Sequence, residues 1–134
     1  MRLRCLIVDD SPEFLAAARR LLEQEGIAVV GTASSGDDAV DRAGELRPDV
    51  TLVDIDLGRE SGFAVARRLA EHDEARAGRL ILISTHAEDE FVEFIEASPA
   101  IGFISKATLS ADGIERLVRD ADAAGRPEGL DRPS

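Results

Sequence analysis

A few polar residues carry the chemistry this sequence can offer. Asp9 and Asp10 stand side by side near the start. Asp54 and Asp56 flank one isoleucine. Ser84 precedes Thr85, and Lys106 closes a later apolar run. Carboxylates at close quarters repel one another unless a cation neutralises them. An all-oxygen set suits Mg²⁺ or Mn²⁺, and magnesium keeps waters and accepts phosphate oxygens. A lysine and a hydroxyl facing such a cation could hold the remaining oxygens of a phosphoryl group. A carboxylate can itself be the nucleophile and become an acyl phosphate. Lys106 adds a compositional clue, because it is the only lysine among 16 basic residues. A compact ammonium on a flexible stem does what the wider guanidinium fork does not.

These residues come together only if the chain folds so that the ends of several elements meet. Leu3 to Val8 reads as a buried strand ending at Asp9-Asp10. Ser11-Pro12-Glu13 is a helix start, and Phe14, Leu15, Ala18, Leu21 and Leu22 recur at helical spacing up to Gly26. Ile27 to Gly31 is a second strand. Ser35-Gly36-Asp37 opens a helix to about Leu46, which Pro48 stops. Val50 to Val53 is a third strand, ending at Asp54-Ile55-Asp56. A loop with Gly58 and Gly62 leads to a helix marked by Phe63, Val65, Ala66 and Leu69. Arg79 to Ile83 is a fourth strand. Glu88 to Ala97 is a short helix with an acidic, solvated start, and Pro99 breaks it. Ile101 to Ile104 is the fifth strand, and Ser110 caps a last helix to about Ala123.

Strands that alternate with helices and read as apolar throughout predict a doubly wound α/β fold, with a parallel sheet covered on both faces. In such a sheet Asp9, Asp10, Asp54, Asp56, Ser84 and Lys106 all lie at one carboxyl edge, where these folds bind ligands. Residues 1–124 form the expected single domain, and residues 125–134 a flexible polar tail.

Composition narrows the function classes. The net charge of −11 argues against direct nucleic-acid binding and suits a cation or a basic partner surface. No apolar run approaches a membrane span, and the first residues do not resemble a signal peptide, so a cytoplasmic location is expected. The single cysteine, Cys5, lies in an apolar run and reads as a small buried hydrophobe.

The ordered set Val8-Asp9-Asp10, Pro48-Asp49 leading to Asp54, Ser84-Thr85 and Lys106 resembles the response-regulator receiver family, from about Leu3 to Ala123. The intervals agree: 30 residues from Asp54 to Ser84, 22 from Ser84 to Lys106, and eight from Asp54 to Gly62. The resemblance implies a flavodoxin-like fold with five strands in the order 2-1-3-4-5 and five helices. It implies that Asp54 is the phospho-acceptor, with a phosphoryl group coming from a histidine kinase or phosphotransfer protein. Asp10 would bind Mg²⁺ directly, Asp9 largely through water, and Asp56 through its backbone carbonyl. Mn²⁺ would serve in place of Mg²⁺ in such an all-oxygen site. Ser84 and Lys106 would hold the phosphoryl group, and Phe103 would be the switch aromatic that follows Ser84. The face of the fourth helix, fifth strand and fifth helix would then act on a downstream target, an output domain or a second copy of the chain.

Some positions depart from the family. Ala107 stands where proline is usual after the lysine, which predicts a trans bond and a shifted loop. Leu57-Gly58 replaces a frequent Met-Pro, which predicts a looser turn. Ser98-Pro99 replaces a common alanine-glycine pair. Asp56 and His86 each lie two residues past a site residue, where family members tune the lifetime of the phosphoryl group; for His86 a solvated loop position is the blander expectation. Two rivals remain. Asp54-Ile55-Asp56 also resembles the Asp-x-Asp box of haloacid-dehalogenase phosphatases, although there the box follows the first strand. A degenerate receiver that acts only through protein contacts is the other. A flavin module of the same strand order would need a phosphate-cradling loop where Asp9-Asp10 stands.

Overall fold

Apolar, β-rich runs bounded by turn residues become strands buried on both faces. In the computed structural model, which describes residues 2–72 and 77–125, these are β1 (Arg4–Val8), β2 (Ala28–Ala33), β3 (Val50–Asp54), β4 (Arg79–Ser84) and β5 (Gly102–Ser105). All neighbouring pairs are parallel, in the order β2-β1-β3-β4-β5. The order is the one expected. β2 extends two residues past its expected end, because Gly31 to Ala33 pair with Leu6 to Val8.

The helices are α1 (Pro12–Gln24), α2 (Gly36–Leu46), α3 (Gly62–Glu71), α4 (Val92–Ala97) and α5 (Ala111–Gly125). Their starts follow from local chemistry. Ser11 Oγ accepts from the Phe14 N–H and Pro12 occupies the first turn; Ser35 Oγ accepts from the Asp38 N–H. Arg47 closes α2 in the left-handed region at φ 48°, ahead of Pro48.

The sheet divides two apolar layers. Leu6, Val8, Val53 and Leu82 face α2 and α3, with Val65, Ala66 and Leu69. Cys5, Ile7, Leu52, Ile81 and Ile83 face α1 and α5, with Leu22 and Ile114. Because all five strands run parallel, their carboxyl ends, with the polar residues they carry, lie at one edge.

Two expectations need correction. The helix expected over Glu88–Ala97 is split. Glu88–Glu90 is a 3₁₀ turn, Phe91 leaves helical geometry (φ −130°, ψ 17°), and α4 has only six residues. Phe91 packs against the α3-side layer, and that tertiary contact wins over helical continuity. The loop after Asp54 is also more ordered than expected. Asp56–Leu57 and Glu60–Ser61 pair as a small antiparallel hairpin, with Gly58 at φ 68° in its turn. A trans bond follows Lys106, as Ala107 predicts, and Lys106–Thr108 forms a 3₁₀ turn with Ser105 Oγ accepting from the Ala107 N–H. Gly125 belongs to α5; the rest of the expected tail, residues 126–134, lies outside the described residues.

Candidate functional site

The carboxyl edge of the sheet assembles the site from the ends of four strands. Asp9 follows β1, Asp54 ends β3, Ser84 ends β4 and Lys106 follows β5. Gly62, at the start of α3, makes room for this edge. A Cβ there would lie 1.9 Å from the Asp54 carbonyl oxygen, so only glycine fits without moving the Asp54 backbone.

Asp9 is fully buried and Asp54 is 5% exposed, whereas Asp10 is open to solvent. Carboxylate oxygens of Asp9, Asp10 and Asp54 lie within 4.8 Å of one another. Lys106 Nζ reaches between two of them, 3.0 Å from Asp54 Oδ2 and 2.6 Å from Asp9 Oδ2. The Asp54 contact is a hydrogen bond. The Asp9 contact is an ion pair at a poorer hydrogen-bond angle, and among the described residues Lys106 is the one group that answers the buried Asp9 Oδ2. The other Asp9 oxygen accepts from the Ser11 N–H at 2.9 Å, and Asp54 Oδ1 accepts from the Asp56 N–H at 3.1 Å.

The electrostatics follow from this packing. Burial pushes the Asp54 carboxyl above its ordinary range, and the Asp9 charge adds to that; the Asp56 N–H and Lys106 oppose it. Burial pulls the Lys106 ammonium down, but its bonds to Asp9 and Asp54 outweigh burial, and the net shift is upward. Three carboxylates within 4.8 Å of one another, two of them buried and answered by a single ammonium, leave net negative charge and form a donor set that fits a hard divalent cation.

Of the remaining expected residues, Ser84 is buried at this edge, where its Oγ accepts from the His86 N–H at 2.9 Å. Phe103 is half-buried on β5, opposite Leu82 and two residues from the rung that pairs Ser84 with Ser105. The Asp56 and His86 side chains are not drawn into the cluster. Both line a groove beside it, and the His86 ring stands edge-on to Phe91 with centroids 5.9 Å apart.

Two further residues escaped the sequence reading. The Phe14 ring lies 4.2 Å from Lys106 Nζ, a cation–π contact that steadies the ammonium. Phe14 reads as ordinary helix core, and nothing in the spacing pairs it with a residue so far along the chain. Glu60 Oε1 accepts from the Gly36 N–H at 2.8 Å, which ties the hairpin to the start of α2. A Cβ on Gly36 would come within 2.6 Å of Glu60 Oε2 and 2.8 Å of Arg68 Nη1, so an alanine there would push both side-chain ends aside. At the same hairpin a Cβ on Gly58 would lie 3.1 Å from Asp10 Oδ2, which places the turn against the acidic cluster.

Comparison with known proteins bears on this arrangement. A sequence profile of the response regulator receiver domain matches residues 5–118. The DNA-binding transcriptional activator EvgA of Escherichia coli is 27% identical over 122 residues, covering 91% of this chain and 57% of EvgA. A protein-glutamate methylesterase/protein-glutamine glutaminase of Myxococcus xanthus is 36% identical over 121 residues, covering 86% of this chain and 32% of that protein. The chain therefore spans about half or less of these relatives' length. The signal receiver domain of the response regulator NarL from Mycobacterium tuberculosis superimposes with a TM-score of 0.75 at 27% identity, over 90% of this chain and 97% of that one.

Proposed function

Because the chain belongs to the response regulator receiver family, we propose that it works as a phospho-accepting switch with Asp54 as the acceptor. The observation that carries this reading is the buried Asp54 carboxylate, bonded to the only lysine and within 4.8 Å of Asp9 and Asp10. The family match over residues 5–118 sets the haloacid-dehalogenase reading aside, and the complete acidic and basic set speaks against a degenerate receiver.

In this reading an Asp54 oxygen attacks the phosphorus of a phosphohistidine on a histidine kinase or phosphotransfer protein. A P–O bond forms, the P–N bond breaks, and the departing imidazole keeps the electron pair and takes up a proton. Asp9, Asp10, Asp54 and the Asp56 backbone carbonyl would hold Mg²⁺, or Mn²⁺ in its place. When bound, the cation neutralises charge on the phosphoryl oxygens and orients them. Lys106 turns its ammonium from the carboxylates to a phosphoryl oxygen, and the Ser84 hydroxyl donates to another. Phe103 then follows Ser84 inward, and the face made by α4, β5 and α5 changes shape for a target protein, an output domain or a second copy. Asp56 and His86, at the mouth of the neighbouring groove, are placed to affect water attack on the acyl phosphate. The reading puts the protein in the bacterial cytoplasm, with no direct contact to nucleic acid or membrane.

Incubation with Mg²⁺ and a small phosphodonor, followed by intact mass measurement, tests it. The expected result is one added phosphoryl group that needs Mg²⁺ and is absent from Asp54→Asn. An unmodified wild-type chain, or modification that persists in Asp54→Asn, would overturn it.

A further inference from the structure

Three of the five phenylalanines gather away from the acidic cluster. Phe63 lies 5.5 Å from Phe94 and 6.1 Å from Phe91 between ring centroids. With Ile55 they form the floor of an open groove of about 490 Å³ between the hairpin and α4. Phe94 is 61% exposed and Val92 41% exposed, and they are the exposed large hydrophobics among the described residues. A second hollow, of about 340 Å³, lies on the other flank of Phe94. The aromatic ring is thus a ridge between two concavities, an arrangement that costs solvation unless something covers it.

Charge says what the cover is. Glu88, Asp89, Glu90, Glu93 and Glu96 lie along the segment that carries this ridge, all exposed. No lysine or arginine occurs between Leu80 and Ser105, and the one arginine of the groove lining, Arg59, stands on the hairpin with Asp56 and Glu60 beside it. Among the described residues none of the five carboxylates has an Arg or Lys partner; the nearest approach is His86 Nδ1, 4.0 Å from Glu90 Oε1. A second copy set face to face here would oppose five carboxylates with five more. Nucleic acid and an anionic bilayer would be repelled as well. A cationic protein segment meets both demands, since its bulky apolar side chain fills the groove and its Lys or Arg side chains meet the acidic rim.

We propose that the groove beside Phe94 is a docking site for a basic amphipathic segment of a partner protein. The acidic rim draws the segment in and Phe94 with Phe63 anchors it. The groove walls include Ile55 and Asp56, directly after Asp54, and His86, two residues after Ser84. Docking does not require the phosphoryl chemistry, so Asp54→Asn keeps it. Loss of docking and loss of phosphorylation are therefore separate results.

The probe is a synthetic helical peptide with leucine and phenylalanine on one face and lysine on the other. It is titrated into the ¹⁵N-labelled full chain, with anisotropy of a labelled peptide giving the affinity. Expected are amide shifts concentrated in residues 55–63 and 86–96, and an affinity about tenfold weaker for Phe94→Ser, as for an anchor residue. Affinity should also fall when the peptide's apolar face is replaced by serine, and with added salt. Unchanged affinity in Phe94→Ser, or shifts scattered over the whole acidic surface, would show only diffuse charge attraction and overturn the proposal. So would sedimentation showing a dimer that Phe94→Ser dissociates, since a second copy would then be the occupant. Phe94 is exposed, and intact mass after phosphodonor treatment of the same variant checks that it is folded.

Discussion

Lys106 is shared by two buried carboxylates, so its removal leaves both uncompensated. Lys106→Met should destabilise the protein by about 3 kcal/mol at neutral pH, the cost of breaking a buried pair from one side. Adding Mg²⁺ should recover part of that loss, because a cation answers the same charges. Chemical denaturation with and without Mg²⁺ measures both. Asp54 gives a pH signature. Its folded carboxyl titrates above the ordinary value of 3.8, so its protonated form is favoured by the fold. The stability it contributes is present below pH 3.8 and is lost as pH rises through the folded value. Urea midpoints across this acidic window should therefore fall more steeply with pH for the wild type than for Asp54→Asn. Equal slopes would contradict the burial argument. Lys106 acts in the opposite range. Its stabilisation persists through neutral pH and is lost only as alkaline pH passes its raised folded value.

The hairpin after β3 is tied to two neighbouring elements. Glu60 fastens it to the first turn of α2 over Gly36, and Gly58 rests against Asp10. Glu60→Ala removes the acceptor and Gly36→Ala fills the space it needs. Each should cost about 1 kcal/mol, as for a lost helix cap. Amide exchange across residues 56–61 should speed up in both, while β1 and β4 keep their protection. The sequence makes the helix starts and strand ends plain, because Ser-Pro, Ser-Gly and the Asp residues stand at real turns. Asp9, Asp54, Ser84 and Lys106 could be placed together from topology alone, since parallel strands send every carboxyl end to one edge. The hairpin could not be read, because two paired rungs are too short to show a period. The break at Phe91 was hidden for another reason. Helical spacing runs unbroken through Glu88 to Ala97, and only packing of Phe91 against the α3-side layer interrupts it. The Phe14 contact with Lys106 needs α1 and the end of β5 brought together in space.

Taken whole, the molecule is a parallel sheet between two separate apolar layers, with its charge unevenly spread. Carboxylates concentrate at the edge that holds Asp9, Asp10 and Asp54 and on the face of α4, and no helix among the described residues is long and apolar enough to cross a membrane. The relatives are longer chains of different kinds, a DNA-binding transcriptional activator and a protein-glutamate methylesterase/protein-glutamine glutaminase among them. The centre of the sheet also supplies a clock. Cys5 sits in β1 between β2 and β3, wholly buried, and burial pushes its thiol up to about 12. A thiol so placed is inert until the sheet itself opens. The rate at which an alkylating reagent marks this one thiol therefore counts openings of an interior strand, not surface fluctuations. In a chain with neither tryptophan nor tyrosine, that rate is a covalent gauge of global unfolding. If Asp54 and its cation hold the β1 and β3 ends together, labelling of Cys5 should slow several-fold when Mg²⁺ is added, and the slowing should vanish in Asp10→Asn.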